Sequence, residues 1–100
     1  MNSENTPNEG VLEEALRITD GARKADYGSA AQNMANTAAF WRLHILTKYG
    51  IDVPLEGADV GWMMIQLKQC RDNSSAKRDN VVDGAGYFRV IARCRGYEKD

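Results

Sequence analysis

A chain of 100 residues, 43% apolar and 27% charged, with 13 Lys+Arg against 14 Asp+Glu, holds one hydrophobic core and little more. This balance excludes disordered, collagen-like and coiled-coil compositions, and it excludes nucleic-acid binding through bulk positive charge. No apolar run approaches the ~18 residues of a membrane span, MNSENTPNEG lacks a signal-peptide pattern, and Cys70 and Cys94 form neither a C-x-x-C pair nor a zinc set. The expectation is a small cytoplasmic domain with reduced thiols.

Residues 1–9 are polar, contain Pro7 and read as a disordered lead-in; residues 10–96 read as one helical domain, and 97–100 as a tail. From Val11, Leu12, Ala15, Leu16 and Thr19 follow helical spacing, with Glu13, Glu14 and Arg17 opposite. This first helix stops near Gly21 or continues to Lys24; the pattern leaves both open. Asp26-Tyr27-Gly28 breaks it, and Ser29 with Gln32 is the signature of a helix start. In the second helix Ala31, Met34, Ala38, Trp41 and Ile45 share a stripe, and Lys48 with Gly50 marks its end. Gly50 to Pro54 is a loop. Val60, Met63, Met64 and Leu67 predict a third helix ending around Arg71. Trp62 and Ile65 lie on its other side, so it is either central to the core or pressed against a second subunit. After the turn cluster Asp72–Ser75, Val81, Ala85, Phe88, Ile91 and Ala92 predict a fourth helix that closes with Arg93, Arg95 and Gly96. No segment alternates like a strand. The fold class is therefore all-α, a small four-helix bundle, and a domain this small gains from forming a homo-oligomer.

Four groups of residues can carry chemistry. Asp79 and Asp83 project from one helical face, with Tyr87 one turn further. Such a pair either shares a hard cation such as Mg²⁺ or forms ordinary surface pairs with Lys77 and Arg78. Lys77 and Arg78 lie at a helix start, where cations oppose the dipole unless an anion such as phosphate docks there. Arg23, Lys24, Asp26 and Tyr27 precede a helix N-terminus and form either an anion pocket or a polar turn. Lys68 and Arg71 share a face with Met64 and Leu67; the anionic partner of Lys68 is either Asp79 or Asp83 across the turn, or a ligand phosphate. Gly84 and Gly86, costly within a helix, point to close approach by another helix or by a ligand ring. His44 stands alone, and no Ser–His–Asp or Cys–His set is legible.

The combination of Gly21, Arg23, Asp26, Tyr27, Gly28, Asn33, Trp41, Asp59, Val60, Met63, Met64, Lys68, Arg71, Arg78, Asp79, Val82, Asp83, Gly86 and Tyr87 resembles a family of small uncharacterised phage and prophage proteins, DUF6378-like, over about Val11 to Cys94. More distantly, the chain is similar to the MazG-like all-α nucleoside triphosphate pyrophosphohydrolases. That resemblance implies a MazG-like oligomeric bundle in the cytoplasm of a bacterial host. It also implies a nucleotide ligand and water attack on a phosphate assisted by Mg²⁺, with Asp79 and Asp83 as catalytic and metal residues. Arg23, Lys24, Asp26, Tyr27, Asn33, Lys68, Arg71, Arg78 and Tyr87 would then bind nucleotide or phosphate. One departure stands out: the group's Glu-Glu-x-x-Glu is missing, and the third helix carries Lys68 and Arg71 where carboxylates belong. Three readings follow: a Mg²⁺-dependent pyrophosphohydrolase, a non-catalytic nucleotide binder that holds, for example, a host signalling nucleotide, or a helical module that inhibits a host protein partner. None of them involves a membrane.

Overall fold

A computed structural model describes residues 8–20 and 28–100. Its helices are α1 (Val11–Asp20), α2 (Ala30–Tyr49), α3 (Gly57–Ser74) and α4 (Arg78–Cys94), and no strand occurs among the described residues. The predicted all-α four-helix class is the fold observed. No helix among the described residues is long and apolar enough to cross a membrane.

Local chemistry sets the helix ends. Ser29 Oγ accepts the Gln32 backbone N–H at 3.0 Å and starts α2. Gly50, at φ 70°, closes it in the left-handed conformation, its N–H returning to the Leu46 carbonyl. At α3 the Asp59 carboxylate accepts the Glu56 N–H at 2.8 Å. The end of α4 is a Schellman turn: Gly96 sits at φ 75°, its N–H meets the Arg93 carbonyl, and the Tyr97 N–H meets that of Ala92 at 2.8 Å. α3 runs to Ser74, one turn beyond the predicted Arg71. Asp72 stays helical because its carboxylate can cap the next helix from inside α3, accepting the Lys77 N–H at 3.0 Å.

The short Ser75–Lys77 link folds α3 and α4 into a hairpin that makes the most extensive contact in the molecule; α1 lies on α4, and α2 lies mainly on α3. Gly61 sets the α3–α4 distance, since a Cβ there would stand 2.5 Å from Ile91 Cγ1. Gly86 faces Thr19 of α1, where a Cβ would just touch Cγ2 at 3.4 Å. The core is built from small side chains: Ala15, Ala38, Ala58, Val60, Val82, Val90 and Ile91. Each fully buried valine or isoleucine contributes roughly 1.5–3 kcal/mol.

Several predicted stripes face elsewhere. In α1, Ala15 and Thr19 are buried as expected, but Leu12 is 71% exposed and Leu16 is exposed, while Glu14 is at 0%. The helix is rotated about its axis, so that Val11, Glu14, Ala15, Ile18 and Thr19 face α4. The reason lies at its C-terminus. Arg89 Nη1 reaches Asp20 at 2.7 Å and the Thr19 hydroxyl at 2.9 Å, and Arg93 reaches the Thr19 carbonyl and Asp20. These two cations sit at the negative end of α1 and fix its rotation. In α4, Val81 and Phe88 are exposed and Ala85 half-buried, whereas Val82, Asp83, Gly86 and Val90 form the inner face with Ile91.

The segments at either end are engaged. Glu9 pairs with Arg17 at 3.0 Å, its carbonyl accepts from Arg78, Glu98 pairs with Arg89 at 2.6 Å, and Asp100 accepts from Ser29.

Candidate functional site

The outward stripe of α4, the N-terminal turn of α1 and one face of α3 enclose an open groove of about 410 Å³. Val81, Gly84 and Ala85 of α4 form its floor, with Leu12 and Ile65 on the sides and Phe88 at one end. Lys68, Gln69, Asp72 and Asn80 complete the lining, whose open surface is almost wholly apolar. Gly84 is the informative residue: a Cβ built on it meets nothing within 4 Å. Of the two close approaches predicted from sequence, Gly86 receives α1, and Gly84 receives none of the described residues. Its bare backbone forms part of the groove floor, at a cost of roughly 1 kcal/mol in helix propensity relative to alanine. Trp62 packs edge-on against Phe88, ring centroids 5.5 Å apart, and extends the apolar rim.

Ion pairs knit the walls. Lys68 Nζ lies 2.9 Å from Asp83 Oδ2; the aspartate side chain is only 4% exposed and the lysine is largely covered. This joins α3 to α4 through a buried charge pair, where removal of either partner strands the other. Arg78, still partly exposed, pairs with Glu14 of α1 at 3.0 Å. Just before α4 the Lys77 backbone N–H donates to Asp72 Oδ1 at 3.0 Å, and the same oxygen lies 3.4 Å from Asn80 Nδ2.

Of the other predicted residues, Asp79 is half-buried in the first turn of α4 and Tyr87 is half-buried two turns on. Asn33 lies in the first turn of α2, away from the groove lining, its carbonyl accepting from Thr37 at 2.9 Å. Arg71 is exposed on the face of α3 beside Lys68 and makes no ion pair among the described residues. Arg23, Lys24, Asp26 and Tyr27 lie outside the described residues, as does the question of where α1 ends.

The donor set can be tested against a magnesium site. Asp83 is held by an ammonium, and among the described residues no three His, Cys, Asp or Glu side chains gather in a group that could hold a metal ion. Mg²⁺ requires oxygen ligands in near-octahedral array, and the described residues do not fit it.

Sequence reasoning missed Glu14. Its Oε2 is paired with Arg78, while Oε1 is buried without a hydrogen bond among the described residues, with Arg17 Nη2 at 3.8 Å. The signal was available, because Glu14 falls between Val11, Ala15 and Ile18 on one helical face.

The architecture is that of a small all-helical protein with an apolar groove edged by buried charge pairs. The family model described as "Domain of unknown function (DUF6378)" matches residues 10–95, and the chain belongs to this family. It is similar to the Gene 55 protein of Mycobacterium phage L5, 37% identical over 84 residues that cover 83% of this chain and 51% of the relative. It is also similar to the Gene 55 protein of Mycobacterium phage D29, 30% identical over 86 residues that cover 85% and 53%. The chain thus spans about half the length of the curated relatives it matches. No solved structure matches it.

Proposed function

We propose that this protein binds a small molecule carrying a flat ring and an anionic group, a nucleotide being the ligand class, without hydrolysing it. The observation that carries this reading is the groove floored by Gly84. A ring can lie against bare backbone between Ala85 and Phe88 in a lining that is almost wholly apolar, with Lys68, Gln69 and Asn80 among its residues. The volume suits a ligand, since small-molecule pockets run from ~300 to 1,000 Å³. An ammonium has three donors, so a Lys68 oriented by Asp83 retains capacity for an anion, with Arg71 on the adjoining face. The pyrophosphohydrolase reading has less support, because Asp83 and Glu14 are engaged with cations and no three carboxylate, His or Cys side chains among the described residues gather into a metal set.

The test is incubation with a mixed NTP and dNTP panel with and without Mg²⁺, read by chromatography. The expected result is one nucleotide retained by the protein and recovered intact. Retention should be lost in Gly84→Leu, whose side chain fills the groove while its Cβ meets nothing. Conversion of a triphosphate to its monophosphate would restore the pyrophosphohydrolase; a panel neither bound nor changed would overturn nucleotide binding.

A further inference from the structure

A second surface has different chemistry. α2 is 20 residues long, yet Ala38 is its only buried residue among the described ones. Its inner stripe (Met34, Trp41, Ile45) is half-buried against the bundle, while Phe40 is 73% and Leu43 58% exposed, and Leu46 and Tyr49 are exposed too. A helix apolar on both faces is one that an assembly buries. Ala35, Ala39, Leu43 and Leu46 form the outer stripe. With Leu55 and the Arg42–Asp52 pair they line a shallow groove of about 420 Å³.

We infer that this face of α2 is the self-association surface, with a second copy of the chain packed antiparallel along it. The stripe is complementary to its own reverse. A two-fold axis near Trp41 sets Ala35 opposite Leu46 of the second copy and Ala39 opposite its Leu43, so large meets small at every level. Charge points to the same occupant. α2 contains no acidic residue. Arg42, the cation bordering the stripe, is held by Asp52 of its own chain through two contacts of 2.6 and 2.8 Å. Gln32 similarly donates to Asn36 at 2.9 Å. The groove lining therefore presents no charge beyond this pair, and the other cation of the helix, Lys48, stands outside it over the ring of Tyr49. The lining fits an equally neutral apolar helix, and reversed packing also opposes the two helix dipoles. The area is sufficient: a 20-residue helix is ~30 Å long, and the stripe with Leu55 and the Arg42–Asp52 pair supplies on the order of 500 Å² per copy, about the 1,000 Å² total that a specific interface needs. The sequence offered α3 as either central to the core or a subunit contact; its Trp62 packs edge-on against Phe88 of α4 and stays partly exposed.

Sedimentation equilibrium at micromolar concentration tests this. The wild type should be a dimer, and Leu43→Glu should weaken association at least ~100-fold by placing an unpaired carboxylate in the contact while its far-ultraviolet circular dichroism stays helical. Trp62→Glu should remain dimeric. If Leu43→Glu fails to fold, a cysteine experiment decides: in a Cys70→Ser background, Ala39→Cys mixed with Leu43→Cys should form the mixed disulfide in preference to either homotypic one. A monomeric wild type, a folded Leu43→Glu that still dimerises, or a dimer without the mixed cross-link would each overturn the assignment. None of these readouts depends on nucleotide.

Discussion

The two apolar surfaces of this molecule differ in what lies beneath and beside them. Beside the α1/α3/α4 groove are charge pairs, Lys68 with Asp83 and Arg78 with Glu14, and a glycine whose missing side chain none of the described residues replaces. Under the outer face of α2 lies Ala38, and the polar groups beside the stripe have closed on one another. Unspent backbone space together with oriented charge suits a ligand that has both a ring and an anion. A stripe that is small at one end and large at the other, with its bordering charge paired, suits a reversed copy of the same helix. Exposed hydrophobicity alone would have grouped the two; their polar surroundings separate them.

Several perturbations would break or sharpen this contrast. The largest effect is expected on the groove side, where Lys68→Ala leaves Asp83 buried without its cation and should cost about 3–5 kcal/mol in urea unfolding. The double variant Lys68→Met, Asp83→Leu should recover to near the wild type, because an apolar pair removes both charges together. A recovery of stability without recovery of nucleotide retention would separate the pair's structural role from its binding role. Next come the glycines. Gly61→Ala drives a methyl into Ile91 and should cost ~1–3 kcal/mol, whereas Gly84→Ala should stabilise by roughly 0.5–1 kcal/mol. Equal effects at the two positions would mean that the groove floor is not open.

On the α2 side the effect of pH is smaller and has a definite sign. The hydrogen bonds from Arg42 hold the Asp52 carboxyl below its ordinary value. Its contribution is present above the unfolded carboxylate range, near pH ~4, and disappears only as pH falls through the depressed folded value. Titration of the Asp52 carboxyl carbon by NMR should therefore give a midpoint below that of a free aspartate, and Arg42→Gln should return it upward. The smallest expected difference is in thiol chemistry. Burial pushes the Cys94 thiol up, with Asp100 adding to the effect, whereas Cys70 is exposed. Iodoacetamide at neutral pH should modify Cys70 first, by mass spectrometry, because less of Cys94 is thiolate and less of it is accessible.

Helix number and most of the ends were legible because they depend on local chemistry: Ser29 as a cap, Gly50 and Gly96 as stops, and Lys68 needing an anion across the turn. Which face of each helix turns inward was not. Periodicity reports that Val81, Ala85 and Phe88 share a stripe, but the same stripe serves equally for a core, a ligand groove or a subunit contact. Leu12 and Leu16 misled for the same reason, because Arg89 and Arg93, some seventy residues away in sequence, fix the rotation of α1. The start of α4 suggested phosphate because its cations lacked a visible partner; the partner of Arg78, Glu14, comes from α1, which periodicity along α4 does not reveal. Family membership was legible from the spacing of residues across the whole chain, which survives such rotations.

The central claim is that the Gly84 groove is the ligand site. The most direct measurement is amide chemical-shift mapping of the ¹⁵N-labelled protein during titration with the nucleotide retained from the panel. The account predicts shifts concentrated at Gln69, Asn80, Gly84 and Ala85, with Ala39 and Leu43 unmoved. A perturbation centred on α2, or no saturable shift at Gly84, would contradict it.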